Sequence, residues 1–272
     1  MTDNGNDASS LVLLGCGKMG SALLAGWLAR GRPPNTVWVV DPIPSDWVKD
    51  QGVHVNDALP THPNIVVVAV KPQMMSAALP NMAAMGGGGT LFVSVAAGTT
   101  LDTYEAILGS GTPIVRAMPN TPAAIGQGIA ALIGNAHVAP DQLAQAESLL
   151  AAVGETVLLE NEDQMDAVTA VSGSGPAYVF HLIETMSAAG VAEGLPPDLA
   201  MKLAQATVAG AGALAQQAAE SPDQLRVNVT SPNGTTQAAL EVLMQDATGF
   251  PKIVAEAVAA AARRSRELSR DG

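Results

Sequence analysis

The sequence predicts an α/β protein: a doubly wound sheet in the N-terminal part and an all-helical C-terminal part. Three observations carry this. A strand, a glycine turn and a helix follow one another in residues 11–27. Short apolar runs then alternate with helical stretches as far as residue 160, the pattern of an α/β sheet. Beyond that point Ala, Gly, Leu and Met dominate and no convincing strand follows.

Leu11-Val12-Leu13-Leu14 reads as a buried strand and breaks at Gly15-Cys16-Gly17-Lys18-Met19-Gly20. Leu23, Leu24, Trp27 and Leu28 then recur at helical spacing. A G-x-G-x-x-G between strand and helix is the dinucleotide fingerprint in the context it requires. Gly15 permits the tight turn, Gly17 lets a pyrophosphate approach the backbone, and Gly20 lets the helix pack on the strand. The N–H groups at the helix start then face the phosphates. Val37-Trp38-Val39-Val40 is the next strand, and Asp41 ends it, where an acid meets a ribose 2′-hydroxyl. A glycine-rich turn in some other α/β protein is the alternative that this context disfavours.

A short helix at residues 46–51 precedes a possible third strand at 52–55. Residues 64–70 are a β-branched run suited to a parallel strand covered on both faces. The run ends at Lys71-Pro72-Gln73, where proline opens a helix. Ligands bind outside such strand ends, so Lys71 either lines the crevice or is a solvated surface lysine. Residues 90–95 form a strand ending at Ala96-Ala97-Gly98, small enough for a ligand to approach. The Thr99-Thr100 pair offers a hydroxyl cap to the next helix. Residues 114–117 form a strand ending at Met118-Pro119-Asn120-Thr121-Pro122, where Asn120 either holds a ligand's amide or is a turn residue. Strands at 128–133 and 155–159 flank a helix at 140–152.

The expected domains are residues 1–160 and residues 161–272. Residues 163–170 read as helix. Ser174 or Gly175 is the expected N-cap, with Pro176 in the first turn, of a helix reaching about Glu193. His181 and Glu184, three residues apart on it, read as a surface pair. A second helix covers residues 197–219, where Gly210 and Gly212 are expected to mark close helix contact. Asn233-Gly234 suits positive φ, and Thr235 or Thr236 is expected to cap a helix running to residue 246. The last helix covers residues 251–268, with Arg263, Arg264 and Arg266 near its negative end.

The 272 residues are 48% hydrophobic and 14% charged, which predicts burial between subunits as well as within one. Net charge is −12, with 12 acids and 6 bases in residues 1–160 and 13 acids and 7 bases in the rest. Neither part offers a basic face, so no nucleic acid and no membrane is expected as a partner. Cys16 is the only cysteine, and His54, His62, His137 and His181 lack ligand spacing, so neither a disulfide nor a metal is expected. The polar, acid-bearing start is not a secretory signal and is expected to fray. No apolar run is long enough to span a bilayer, which makes a soluble cytoplasmic protein the expectation.

A dinucleotide site and a helical domain together imply an oxidoreductase. The helical part has no cysteine, and its lysines are Lys202 and Lys252. It does have two Ser/Thr/Gly loops that open helices and can present N–H groups to a carboxylate. Hydroxyls are weak acids and suit an already basic substrate, such as a cyclic imine, better than a ketone.

Several motifs resemble those of the Δ1-pyrroline-5-carboxylate reductase family. They are Gly15-Cys16-Gly17-Lys18-Met19-Gly20, Val70-Lys71-Pro72-Gln73, Ser94-Val95-Ala96-Ala97-Gly98 and Arg116-Ala117-Met118-Pro119-Asn120-Thr121-Pro122. The most specific are Ala170-Val171-Ser172-Gly173-Ser174-Gly175-Pro176-Ala177-Tyr178 and Val229-Thr230-Ser231-Pro232-Asn233-Gly234-Thr235-Thr236. The resemblance spans nearly the whole chain. It implies a Rossmann domain followed by a helical dimerisation domain that interlocks with its twin, with larger assemblies of dimers in some members. It also implies NAD(P)H as cofactor and reduction of 1-pyrroline-5-carboxylate to L-proline, hydride passing from nicotinamide C4 to C5 of the imine.

By the same resemblance, Gly15, Gly17, Lys18, Met19, Gly20 and Asp41 bind cofactor, and Asn56 reaches toward its adenosine end. Ala69, Val70, Lys71, Pro72, Ala96, Ala97, Gly98 and Asn120 hold the nicotinamide half. The substrate carboxylate sits around Ser231, Asn233, Gly234 and Thr235. The Thr235 hydroxyl lies near the ring nitrogen as proton donor or positioner, and Ser174 lines the same pocket. Two departures stand out. Asn233 replaces the first glycine of the family's Ser-Pro-Gly-Gly-Thr. Asp41-Pro42-Ile43-Pro44 stands where NADPH-preferring members carry hydroxyl or arginine residues. Asp41 repels a 2′-phosphate, which leans the expectation toward NADH, although the Ser45 hydroxyl could still meet one.

Two other readings compete. A β-hydroxyacid dehydrogenase shares the glycine-rich start and the helical second domain, but needs a lysine on the long helix, and residues 172–193 have none. A non-catalytic dinucleotide-binding regulator would not need the small-residue pocket motifs of the second part.

Overall fold

The computed structural model describes residues 10–271, so the expected fraying at the start lies outside the described residues. The strands are β1 (Leu11–Leu14), β2 (Val37–Val40), β3 (His54–Val55), β4 (Ile65–Val68), β5 (Leu91–Ser94), β6 (Ile114–Met118), β7 (Gly128–Gly134) and β8 (Gly154–Leu158). The helices are α1 (Lys18–Ala29), α2 (Asp46–Lys49), α3 (Met75–Ala78), α4 (Leu101–Leu108), α5 (Pro140–Ala151), α6 (Met165–Val168), α7 (Gly175–Ala192), α8 (Pro197–Gln217), α9 (Pro222–Asn228), α10 (Thr235–Leu243) and α11 (Phe250–Asp271).

The strands form one sheet in the order β3-β2-β1-β4-β5-β6-β7-β8. The pairs from β3 to β6 are parallel, β7 is antiparallel to β6, and β8 is parallel to β7. β1, β4 and β5 are buried throughout, because apolar clusters cover both faces. Leu11, Leu13, Leu23 and Trp27 lie in one cluster; Val12, Leu14, Phe92 and Tyr104 lie in the other. This alternation along β1 follows from the two-residue repeat of a strand.

Residues 10–173 and 261–271 form one compact unit, and Ser174–Ala260 form a second. The first unit thus runs past the boundary expected at residue 160 and takes in residues 261–271 as well. Met165 and Ala170 are buried, and the Ser265 hydroxyl donates to Asp166 Oδ1 at 2.6 Å within the first unit. Arg116 of β6 also pairs with Glu162.

Several helix ends differ from expectation. Lys71-Pro72-Gln73 opens a 3-10 turn, Pro72–Met74, before α3. A π-helical turn, Thr169–Gly173, runs from α6 toward α7. Ser174 stands at the N-cap position of α7 with Pro176 in the first turn, as expected, but it has helical dihedrals (φ −86°, ψ −20°) and makes no side-chain cap. Gly234 is the N-cap of α10, and Thr235 is its first helical residue, so neither threonine caps it. The hydroxyl cap of α4 does form, with Thr100 Oγ1 accepting the Thr103 N–H at 3.2 Å. Helix α9, opened by Ser221-Pro222, was not anticipated.

In the second unit α7 and α8 pack together. The close approach is at Gly190, where a Cβ would lie 3.3 Å from Leu195 and 3.4 Å from Ala200. Gly210 and Gly212 have nothing within 4 Å, so the expected contact there is absent among the described residues. Tyr178, Val179, Phe180, Leu199, Leu203, Leu214, Val242 and Ile253 are exposed. So much exposed apolar surface is characteristic of an interaction face. Among the described residues no helix is long and apolar enough to cross a membrane.

Candidate functional site

The parallel strands place the glycine loop, Asp41, Ala69 and Ala96 after the carboxyl ends of β1, β2, β4 and β5. This is the edge at which doubly wound sheets bind ligands. Gly15 has φ +90°, and a Cβ there would lie 2.9 Å from both Ala69 O and Val70 Cγ1. A Cβ on Gly20 would fall 2.3 Å from Gly15 O, so this glycine seats α1 on the loop. A Cβ on Gly17 would meet nothing within 4 Å. No packing demands glycine at that position, and the open space at the N-terminus of α1 fits an approaching pyrophosphate. Lys18 is exposed beside it and Met19 is half-buried.

Asp41 is held from several sides. Its Oδ2 accepts the Cys16 N–H at 2.7 Å, and its Oδ1 accepts the Ile43 N–H at 2.8 Å. Asn56, at φ +56°, donates from Nδ2 to Asp41 O at 2.8 Å and accepts the Asp41 N–H on Oδ1 at 3.0 Å. The Asn56 amide is thus spent on the Asp41 backbone. Ser45 Oγ caps α2 by accepting the Val48 N–H at 3.4 Å. Burial pushes the Cys16 thiol up, opposed by its hydrogen bond with Ser21 and reinforced by the Asp41 charge.

At the next strand end, the Ala96 N–H donates to Ser94 Oγ at 3.2 Å, and that hydroxyl shares a hydrogen bond with Tyr104 OH. Gly98 has φ +77°, and a Cβ on it would lie 3.4 Å from Leu268 Cβ of α11. Leu101, first in α4, donates its N–H to Glu162 Oε1 at 2.9 Å, and the same oxygen accepts Arg116 Nη1 at 2.6 Å. The sequence places Arg116 at the head of a family-like motif but assigns neither Arg116 nor Glu162 a role. A lone arginine inside an apolar strand and an acid in a charged loop carry no local signal of pairing.

Lys71 is exposed and Val70 half-buried, with Pro72 exposed at the start of its turn. Asn120 Oδ1 accepts the Ile129 N–H at 3.0 Å, and Nδ2 lies 3.4 Å from Ser172 O and Oγ.

The second unit carries the Ser231-to-Thr236 loop. Asn233 has φ +59°, the positive value expected there. Its N–H donates to Gln237 Oε1 at 2.7 Å, and the Gly234 N–H donates to Ser231 O at 3.0 Å. Those donors are therefore used within the loop. The N–H groups of Thr235, Thr236 and Gln237, in the first turn of α10, remain open among the described residues. The Thr235 hydroxyl is exposed and has no hydrogen-bond partner among the described residues. Ser174 is half-buried. His181 Nδ1 and Glu184 Oε2 form an exposed pair at 3.1 Å, as expected of helix-surface neighbours. Among the described residues no cluster of His, Cys, Asp or Glu is placed to hold a metal.

Comparison with known proteins matches residues 162–268 to the family described as pyrroline-5-carboxylate reductase dimerisation. Residues 10–98 match the family described as NADP oxidoreductase, coenzyme F420-dependent. The pyrroline-5-carboxylate reductase of Pseudomonas aeruginosa is 41% identical over 265 residues, covering 95% of this chain and 96% of that protein. The solved structure of a pyrroline-5-carboxylate reductase from Coxiella burnetii superposes with a TM-score of 0.90 at 35% identity, covering 96% of this chain and 99% of that one. The Plasmodium falciparum pyrroline carboxylate reductase, solved with NADP bound, superposes with a TM-score of 0.84 at 29% identity, covering 97% and 99%.

Proposed function

The chain belongs to the pyrroline-5-carboxylate reductase family, and from that premise we propose that it reduces the C=N bond of 1-pyrroline-5-carboxylate to give L-proline, the last step of proline biosynthesis. The observation that carries the cofactor part is the cradle at Gly17, open at the start of α1 with Asp41 beside it. When bound, reduced NAD(P)H supplies the hydride to the imine carbon.

The chain's own residues bind, orient and protonate. The glycine loop receives the pyrophosphate, with Lys18 and Met19 beside it. Asp41 takes the adenosine ribose, held in place by Asn56. Ala69, Val70, Lys71, Pro72, Ala96, Ala97, Gly98 and Asn120 form the nicotinamide side. The first turn of α10 receives the substrate carboxylate on the open N–H groups of Thr235, Thr236 and Gln237, shaped by the turn at Ser231, Asn233 and Gly234. The Thr235 hydroxyl orients or protonates the ring nitrogen, and Ser174 lines the pocket. No stronger acid is needed, because an imine nitrogen is basic.

Asp41 favours NADH, since two anions a few ångströms apart repel. A homodimer, or an assembly of dimers, covers the exposed apolar residues of α7, α8 and α10, and the cytoplasm is the compartment assigned. Neither nucleic acid nor a membrane has a part in this reading.

The test supplies purified protein with 1-pyrroline-5-carboxylate and NADH and identifies the product by chiral chromatography. L-Proline is expected, with no turnover of 3-hydroxy acids and NAD⁺. Oxidation of a hydroxy acid without imine reduction would favour the β-hydroxyacid dehydrogenase reading instead.

A further inference from the structure

Arg116 is a buried charge inside the sheet. It is 3% exposed and stands in register with Ser94 of β5. Its Nη1 meets Glu162 Oε1 at 2.6 Å, while its Nε is buried without a partner among the described residues. Glu162 is 28% exposed, so the charge that must be taken out of water is that of Arg116, and an apolar residue of similar volume commonly serves stability as well as a buried charge with one partner. The geometry around this pair suggests another purpose.

Glu162 Oε1 also accepts the Leu101 N–H, an otherwise unmet donor in the first turn of α4. Five residues earlier the Ala96 N–H is held by Ser94 Oγ, which bonds to Tyr104 on the same helix. The turn through Ala96, Ala97 and Gly98 is thus pinned on one side by the buried Ser94 and Tyr104 hydroxyls and on the other by the half-buried Glu162 carboxylate. We propose that Arg116 and Glu162 are positioning residues for hydride transfer: the pair fixes the start of α4 and so sets where this turn meets the nicotinamide. The proposal rests on the reading that this turn holds the nicotinamide half. Neither residue touches the reacting atoms.

The test uses Glu162→Ala in the full chain and compares two ligands. ADP-ribose carries the adenosine and pyrophosphate parts of NADH without the nicotinamide. The expected result is ADP-ribose affinity within about twofold of the original, with NADH affinity and kcat each lowered about tenfold or more, as for a modest misplacement of a reactant. Glu162→Gln keeps an acceptor toward both Arg116 and Leu101 and recovers most of the loss. Unchanged NADH affinity and kcat in folded Glu162→Ala, or equal weakening of both ligands, would overturn the proposal. If that variant does not fold, Glu162→Asp, one methylene short of the same bonds, is judged by the same criteria. Ala97→Leu tests the underlying reading separately. Full NADH binding and kcat there would show that the nicotinamide lies elsewhere, and the proposal would fall with it. Loss in Ala97→Leu with none in Glu162→Ala would overturn the positioning role alone.

Discussion

Asp41 Oδ2 accepts the Cys16 N–H at 2.7 Å and so ties the end of β2 to the glycine loop. The carboxylate is fixed beside the loop, and in the proposed cofactor site a 2′-phosphate on the ribose would meet a second anion. The expected outcome is a larger kcat/KM with NADH than with NADPH. Asp41→Ser shifts the ratio toward NADPH by about tenfold or more, since opposed like charges cost several kcal/mol. It also lowers stability by about 1–2 kcal/mol through the lost acceptors of Cys16 and Ile43. A wild-type preference for NADPH in steady-state kinetics contradicts this assignment.

The Asn56 side chain makes two hydrogen bonds to the Asp41 backbone from a residue at φ +56°. Asn56→Gly preserves the backbone freedom and removes the clamp. NADH KM rises several-fold with kcat nearly unchanged, the signature of lost uniform binding. Asn56→Ala adds the left-handed backbone penalty of roughly 1 kcal/mol, read as a lower urea midpoint than that of the glycine variant.

Gly17 and Gly20 are the same residue type serving different ends. Gly17→Val places its side chain in open space, so thermal stability without cofactor stays close to wild type while NADH affinity falls about tenfold or more. Gly20→Ala forces a Cβ to 2.3 Å from Gly15 O and destabilises the protein by about 1–3 kcal/mol before any ligand is added. Melting and titration of the pair check the contrast. Equal effects of both variants on stability would remove the argument for a pyrophosphate at Gly17.

Thr235 opens α10 with an exposed, unpartnered hydroxyl among the described residues. Thr235→Val keeps the shape and lowers kcat by about a hundredfold, within the range for a positioned proton donor. Thr235→Ser restores most of the rate. An unaltered kcat in Thr235→Val would assign the proton to another group.

Burial holds the Tyr104 phenol above its ordinary range, outweighing the hydrogen bonds of Ser94 and Thr99 and the nearby Arg116 charge. The folded state therefore keeps a proton that the unfolded chain releases above about pH 10. The stability linked to Tyr104 is complete below that pH and is lost as pH rises through the higher folded value. Tyr104→Phe should flatten the alkaline loss of stability, at a cost near neutral pH of about 1 kcal/mol for the Ser94 bond. Denaturant midpoints across that range provide the check, and identical alkaline slopes would contradict it.

Much of the sheet was legible because its strands are nearly all β-branched or otherwise apolar, as at residues 65–68, and because the glycine loop has a fixed order of elements. The direction of β7 was not, since an apolar run does not encode which way its neighbour runs. Ser174 takes the expected N-cap position, but its hydroxyl does not cap, because the preceding π-helical turn delivers it to α7 with helical rather than extended dihedrals. Helix α9 was readable in principle: Ser221 before Pro222, with Asp223 in the first turn, is a helix start. In the candidate site, positive φ at Asn233 could be read from residue type. The Arg116–Glu162 pair could not, because its partners are 46 residues apart and meet only once the sheet and the turn before α6 are formed.

The account stands most directly on one measurement: loss of NADH or NADPH absorbance with purified protein, with and without 1-pyrroline-5-carboxylate. Rapid loss that requires the substrate, with a larger kcat/KM for NADH than for NADPH, is the predicted result. Tight cofactor binding with no substrate-dependent loss from either nucleotide would contradict the reductase assignment.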